Sequence, residues 1–266
     1  MTTALITGAS AGLGTEYAWL FAEAGHDVVL VARRREKLDS LAEKIHAKHQ
    51  VTATVLVADL TDSAAPQRIF AELEEKKIAI EFLVNNAGFG TSGHFASIDL
   101  KRELEMIQVN VTALVELTSR FLPAMITRKS GRILNIGSSA GFQPGPGMAG
   151  YYATKAYVNS FTEALAFELR GTGVTATVSC PGATVTEFAD VANVGSSGLF
   201  AMGAMGAREV AQHGFHAMMN ADPIAVVGIK NKLGVQSLRF APRALVVWLA
   251  ARLNRTPTPP ALPAAK

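Results

Sequence analysis

The sequence predicts an α/β protein built on one doubly wound parallel sheet. Two observations carry this. Short apolar, β-rich runs alternate with helical patterns along most of the 266-residue chain, and the runs stay apolar throughout, as strands covered on both faces do. A Gly-rich segment, residues 8–14, follows the first run and opens the first helical pattern; that is where a Rossmann-type sheet cradles a pyrophosphate. The expected fold class is therefore a Rossmann-type single domain. Composition agrees. A chain with 49% hydrophobic and 18% charged residues is too apolar for disorder. One cysteine, Cys180, excludes a disulfide framework and a cysteine zinc site.

The elements follow in order. Residues 4–7 form a first strand, and a helix runs from the Gly-rich turn to about residue 24, where Gly25 suits the left-handed position after a helix end. Residues 28–31 are a second strand, and 36–49 read as an amphipathic helix with Leu38, Leu41 and Ile45 on one face. The unit then repeats as strand 54–58 and helix 66–77, strand 82–84 and helix 98–121, strand 132–136 and helix 151–170, with a sixth strand at 174–179. Regularity stops after Pro181. Residues 187–206 are rich in Gly, Ala and Met; 207–219 read as a helix, 225–228 as a last strand and 241–253 as a helix. A Pro/Ala tail over 256–266 is expected to be disordered. One domain is expected over residues 1–255, with a substrate lid over about 187–222 and a basic extension over about 230–255.

The strand ends hold the chemistry. In residues 8–14 the glycines Gly8, Gly12 and Gly14 follow a G-x-x-x-G-x-G spacing, and the helix that starts there offers free N–H groups to an anion. At the end of the second strand an acidic residue would select NAD through its ribose 2′-hydroxyl. Here Ala32 is followed by Arg33, Arg34 and Arg35, and guanidinium groups pair with phosphate. Arg33 and Arg34 therefore point to the 2′-phosphate of NADP. Asp59, with Leu60 after it, ends the third strand, where a carboxylate suits an adenine amino group or a turn cap; Asn85, Asn86, Ala87 and Gly88 end the fourth.

Tyr151 and Lys155 are four apart on a predicted helix and share a face. An ammonium beside a phenol stabilises the phenolate and lowers the tyrosine pKa, as a proton donor and acceptor near neutral pH requires. Tyr152 has no such partner, because position 156 is alanine. Ser138 lies just past the fifth strand on the same sheet edge, where its hydroxyl can hold a substrate oxygen. Asn110 is a poor helix former inside a mostly apolar helical stretch, and such residues usually have a specific partner.

With these residues in place, the sequence over roughly 3–187 resembles the short-chain dehydrogenase/reductase family. The matching elements are Thr7-Gly8-x-x-x-Gly12-x-Gly14, Asn85-Asn86-Ala87-Gly88, Asn110, Ser138, Tyr151-x-x-x-Lys155 and Pro181-Gly182-x-x-x-Thr186. The resemblance implies an oxidoreductase that moves a hydride between NADP(H) and a carbonyl or alcohol. It implies Tyr151 as general acid/base, Lys155 tuning it and holding the nicotinamide ribose, Ser138 orienting the substrate oxygen, and Asn110 anchoring a water in a proton relay. Pro181, Gly182, Thr184 and Thr186 would contact the nicotinamide end, and Ser10, Leu13 and Asn86 the rest of the cofactor. An NADP-binding regulatory or scaffold protein on the same fold is the alternative.

Departures from the family leave assembly open between a homodimer and a homotetramer. The usual Asp-Gly-Gly-like ending is replaced by residues 226–232, Val-Val-Gly-Ile-Lys-Asn-Lys. Beyond Asp222 the chain has no acidic residue and carries Lys230, Lys232, Arg239, Arg243, Arg252, Arg255 and Lys266. A row of Leu245, Trp248, Leu249 and Arg252 fits either packing on the body or, less well, contact with a membrane surface. The net charge of +3 does not call for nucleic acid. His213 and His216 share a helix face without a third ligand, so no metal is expected. Met202, Met205, Met218 and Met219 read equally as core or as an adaptable wall for an apolar substrate. Residues 1–7 carry no export pattern, and the apolar run 244–251 is far short of the roughly 20 residues that span a bilayer. A cytoplasmic location is expected.

Overall fold

The computed structural model describes residues 2–187 and 203–254, and a parallel sheet runs through its centre. Its strands are β1 (Thr3–Thr7), β2 (Asp27–Ala32), β3 (Ala53–Val57), β4 (Ile80–Asn85), β5 (Gly131–Ile136), β6 (Val174–Cys180) and, after two short strands, β9 (Ile224–Val226). The order is β3-β2-β1-β4-β5-β6-β9 and every pairing is parallel. The short strands β7 (Thr184–Val185) and β8 (Met205–Gly206) pair with each other, apart from the sheet.

Strand residues alternate between two buried layers. Ala4 and Ile6 of β1 pack with Tyr17 and Phe21 of α1 (Gly12–Glu23) and with Leu38 and Ile45 of α2 (Arg35–His49). Leu5, one residue out of phase, packs on the other face. It meets Leu73 of α3 (Ala65–Glu75), Leu117 and Met125 of α5 (Ala113–Arg128) and Leu165 of α6 (Ala149–Glu168). A continuous apolar strand is needed because both faces are covered. The sheet order reverses between β1 and β4, and ligands of open α/β sheets bind at the carboxyl side of such a point.

The long helix expected over 98–121 is a compound element. It starts as α4 (Leu100–Ile107), passes through one π-helical turn over Gln108–Thr112, and continues as α5 to Arg128. Asn110 lies in the π turn, so the poor helix former marks a real irregularity of the hydrogen-bond ladder.

Past β6, two expectations change. The lid proposed over 187–222 contains α7 (Ala207–Met219), and this helix belongs to the body. Val210, Ala211 and Met218 are fully buried, and Arg208 pairs with Glu16 and Glu23 of α1. The rest of the proposed lid, 188–202 with Met202, lies outside the described residues, as do Arg255 and the tail 256–266. The methionines divide: Met218 is core, Met219 packs against it, and Met205 faces the cavity described below. The second change is an unforeseen helix, α8 (Ile229–Ser237), in the basic extension.

The last helix, α9 (Arg243–Leu253), docks through a different face from the expected row. Val246 and Ala250 are buried, while Leu245, Trp248 and Leu249 are exposed. Asn254, just after it, accepts a hydrogen bond from the Tyr152 hydroxyl at 3.1 Å and donates to the Pro146 carbonyl at 2.9 Å. No helix among the described residues is long and apolar enough to cross a membrane.

Candidate active site

A cavity of about 770 Å³ opens at the carboxyl side of the sheet and joins the ends of β1, β2, β4, β5 and β6. One end is an exposed mouth built by the Gly-rich turn and the end of β2. The other is a buried pocket built by β5, α6 and the segment after β6.

At the mouth, Gly8 and Gly12 have φ of +69° and +53°, which L side chains rarely adopt. Gly14 packs behind the turn, where a Cβ would stand 2.2 Å from the Gly8 carbonyl oxygen. It therefore shapes the turn without lining the cavity. Asn86 braces the turn: its side-chain amide donates to the Thr7 carbonyl at 2.8 Å, and the Thr7 hydroxyl receives the backbone N–H groups of Asn86 and Ala87. Helix α1 has no side-chain cap and no acidic residue in its first turn. A helix start of this kind presents N–H groups and the positive end of the helix dipole to an anion. These features fit a dinucleotide pyrophosphate.

Ser10, Leu13, Arg33, Arg34, Asp59 and Leu60 line the same end. Arg34 reaches back to the Ser10 hydroxyl at 3.1 Å and its carbonyl at 3.3 Å, and pairs with Glu187 at 2.9 Å. Arg33 makes a long contact with Asp59, at 3.9 Å. Asp59 caps its own turn through Thr61 N–H at 3.0 Å, which bears out the turn-cap reading of this carboxylate, and it also lines the cavity.

The buried end is wired more densely. Tyr151 and Ser138 line the cavity close enough for the serine hydroxyl to act on the phenol. Burial pushes the Tyr151 phenol well above its ordinary value; the Ser138 hydroxyl pulls it down and neighbouring Tyr152 pushes it up. This corrects the expectation that Lys155 lowers it. The Lys155 ammonium lies 6.0 Å from the centre of the Tyr151 ring, is itself buried, and donates to the Ile136 carbonyl at 2.6 Å. Burial lowers its pKa to about 8, with Cys180 acting in the opposite direction. Desolvation dominates and favours the protonated phenol of Tyr151.

Asn110 does not line the cavity. It is 2% exposed and clamps the segment in front of it, accepting from Phe89 N–H at 3.1 Å and donating to the Phe89 carbonyl at 2.9 Å and the Thr154 hydroxyl at 3.1 Å. Ala87 and Gly88 form the adjoining wall, and a Cβ on Gly88 would meet the Asn110 side-chain oxygen at 3.0 Å. Pro181, Gly182, Thr184 and Thr186 complete the opposite wall, and Thr186 lies against Gly12.

Several residues of the site were not foreseen. Asn159, one turn after Lys155, donates to the Ser138 carbonyl at 3.0 Å and accepts from its N–H at 3.4 Å; its spacing on the Tyr151–Lys155 helix was the available signal. Arg102 enters the wall stacked over the Phe89 ring at 3.9 Å and paired with Glu105 at 3.3 Å. Gln143, Met148, Ile229 and Asn231 also line the cavity, and only the fold brings them there. Cys180 is buried and its thiol is pushed up to about 12 by burial.

Known proteins share this fold. A sulfoacetaldehyde reductase from Chromohalobacter salexigens is 41% identical over 186 residues, 69% of this chain and 73% of that protein. A short-chain dehydrogenase from Sphingobium yanoikuyae, solved in complex with NADPH, superposes with a TM-score of 0.82 at 33% identity, over 92% of this chain and 95% of that one. A bulky-bulky ketone specific alcohol dehydrogenase from Comamonas testosteroni superposes with a TM-score of 0.77 at 30% identity, over 90% and 92% of the two chains. The family model for short chain dehydrogenases matches residues 2–195. With that match over most of the chain, and with the turn, the sheet and the buried tyrosine in their places, this protein is a member of the short chain dehydrogenase family.

Proposed function

We propose that this protein is an NADP-dependent oxidoreductase that interconverts a carbonyl and an alcohol, with Tyr151 as the proton donor in the reducing direction. The observation that carries this reading is a buried Tyr151 phenol beside Ser138 at one end of the cavity and two arginines at its other end. The NADPH bound in the Sphingobium relative supports the choice of cofactor. Gly8, Gly12, Ser10 and Leu13 would hold its pyrophosphate region, Arg33 and Arg34 its 2′-phosphate, Asp59 and Leu60 its adenine side, and Lys155 with residues 181–186 its nicotinamide half. When bound, NADPH supplies the hydride.

The chain's own residues handle the proton. Ser138 donates to the carbonyl oxygen and holds it beside Tyr151. Tyr151 gives its hydroxyl proton to that oxygen as the carbon is reduced. Lys155, a cation next to the phenolate left behind, stabilises it at that moment. Asn110 and Asn159 position the two walls. The measurement is NADPH oxidation across a panel of carbonyl compounds, with Tyr151→Phe as control. Turnover in that variant at the wild-type rate would sink the assignment.

For the substrate, Phe89, Met148, Met205 and Ile229 in the cavity wall support an apolar carbonyl compound. Arg102 favours a second reading, a small carbonyl compound carrying an acidic group, in keeping with the name of the Chromohalobacter relative. Loss of activity in Arg102→Ala toward acidic members of the panel alone would select that reading. A dimer through α4, α5 and α6 is supported by exposed Leu104, Ile107 and Tyr157, with a tetramer as the alternative that sedimentation distinguishes. The lone free Cys180 is in keeping with a cytoplasmic enzyme.

A further inference from the structure

Arg34, just past β2, lines the mouth where the 2′-phosphate of the cofactor is to be held, and Lys37 lies in the first turn of α2 that follows it. In this structure both are already paired with one carboxylate. Glu187 lies 2.9 Å from the Arg34 guanidinium through one oxygen and 2.9 Å from the Lys37 ammonium through the other. It arrives from the opposite side of the cavity. Beyond β6 the chain crosses over the Gly-rich turn, with the Thr186 side chain against Gly12, and so brings Glu187 to cations 150 residues earlier in sequence. In the sheet, β1, β4 and β5 lie between the two strands that these residues follow.

We infer that Glu187 is a selectivity-determining residue that competes with the cofactor's 2′-phosphate for Arg34 and Lys37 and so restrains the preference for NADPH over NADH. The inference rests on the NADP reading above. A phosphate monoester carries about −1.5 to −2 charge at neutral pH. Brought between Arg34 and Lys37, it either displaces Glu187 and breaks both ion pairs, or meets an adjacent negative charge. A nucleotide with a 2′-hydroxyl meets neither cost, because a hydroxyl can donate to the carboxylate. Glu187 thus stands in for the acidic residue that NAD-selective sheets place at the end of the second strand, where this chain has Ala32. Lys37 and Arg34 keep the Glu187 carboxyl below the usual carboxylate range, so it is ionised wherever the enzyme works. All three side chains are about half exposed, which makes the competition moderate and reversible.

Calorimetric binding of adenosine 2′,5′-bisphosphate and adenosine 5′-monophosphate tests this without turnover, since the two differ only in the 2′-phosphate. Glu187→Gln keeps the size and removes the charge. It is expected to tighten the bisphosphate by about three- to tenfold while moving the monophosphate less than about twofold, and to raise the NADPH-to-NADH affinity ratio by the same factor. An unchanged or weakened bisphosphate, or equal tightening of both probes, overturns the inference. Arg34→Ala separates the two failures. If it abolishes the preference for the bisphosphate while Glu187→Gln changes nothing, the NADP reading stands and the role of Glu187 falls. If neither wild type nor Glu187→Gln distinguishes the two probes, the NADP reading fails and the inference with it.

Discussion

The two ends of the cavity use charge in opposite ways. At the mouth, Arg33, Arg34, Lys37, Asp59 and Glu187 are all roughly half exposed, and their pairs are swapped easily for a ligand or for water. At the buried end, Lys155, Asn159 and Ser138 are nearly inaccessible, and each polar group has a partner fixed by a strand or a helix. Exposed pairs are worth little individually, whereas an orphaned buried group costs its full desolvation. The mouth can therefore be retuned by substitution, and the buried end either works or does not.

The largest expected effect breaks the buried end. Tyr151→Phe keeps the ring in place and removes the transferable proton, so turnover should fall by about 10²- to 10⁴-fold with NADPH binding retained. Tyr152→Phe, whose hydroxyl contacts Asn254, should keep most of the rate. The reverse ranking would show that the wrong tyrosine was assigned.

Removing Asn159 is next. Asn159→Ala strands the Ser138 carbonyl and N–H in a dry site, with an expected loss of about 1–3 kcal/mol in stability. Chemical denaturation measures it, and a loss within error would mean that the wall holds its shape without this residue.

Arg34→Ala probes the mouth. It should reduce NADPH affinity about tenfold, leave NADH within about twofold, and do nothing to thermal stability beyond a degree or two. A collapse of stability would place Arg34 in the structural frame and erase the contrast between the two ends.

The smallest effect concerns Lys155 and pH. Its pKa is lowered to about 8 from the ordinary 10.5 because burial disfavours the charged form. Between those values the unfolded chain binds this proton and the folded chain does not, so the stability contributed by this residue rises with pH across that window. The cost of the buried charge is full below about 8 and is relieved by 10.5. Comparing melting temperatures of wild type and Lys155→Met over that range should show this rise in wild type alone. Identical profiles would place the Lys155 proton in contact with water.

Much of this contrast was legible in residue spacing. Tyr151 and Lys155 are a helix turn apart, the glycines of residues 8–14 sit between a strand and a helix, and the cations follow β2 directly. Such features depend on neighbours within a few positions, and helix and strand periodicity bring those neighbours together. The direction of the Tyr151 shift was not legible, because burial is a property of the assembled walls. Asn110 was noticed as a misfit in its helix, but its contacts with Phe89 and Thr154 come from the packing of the π turn on α6 and on the segment after β4. The exposed row on α9 was misjudged for a related reason. A short helix with apolar residues on most of its circumference can dock by either face, and Asn254 with Tyr152 and Pro146 decided which.

The sequence by itself determined the sheet, its parallel sense, the Gly-rich turn at its carboxyl edge and the tyrosine–lysine interval on α6. Each is set by local pattern: apolar runs of strand length, helix-length spacers between them, glycines at left-handed positions and a four-residue interval. Tertiary structure alone decided that α7 belongs to the body, that Arg102 enters the cavity wall, and that Glu187 spans the mouth to Arg34 and Lys37. These depend on where distant segments meet, and the energies involved, a few buried methyls or one exposed ion pair, leave no period in the sequence to read.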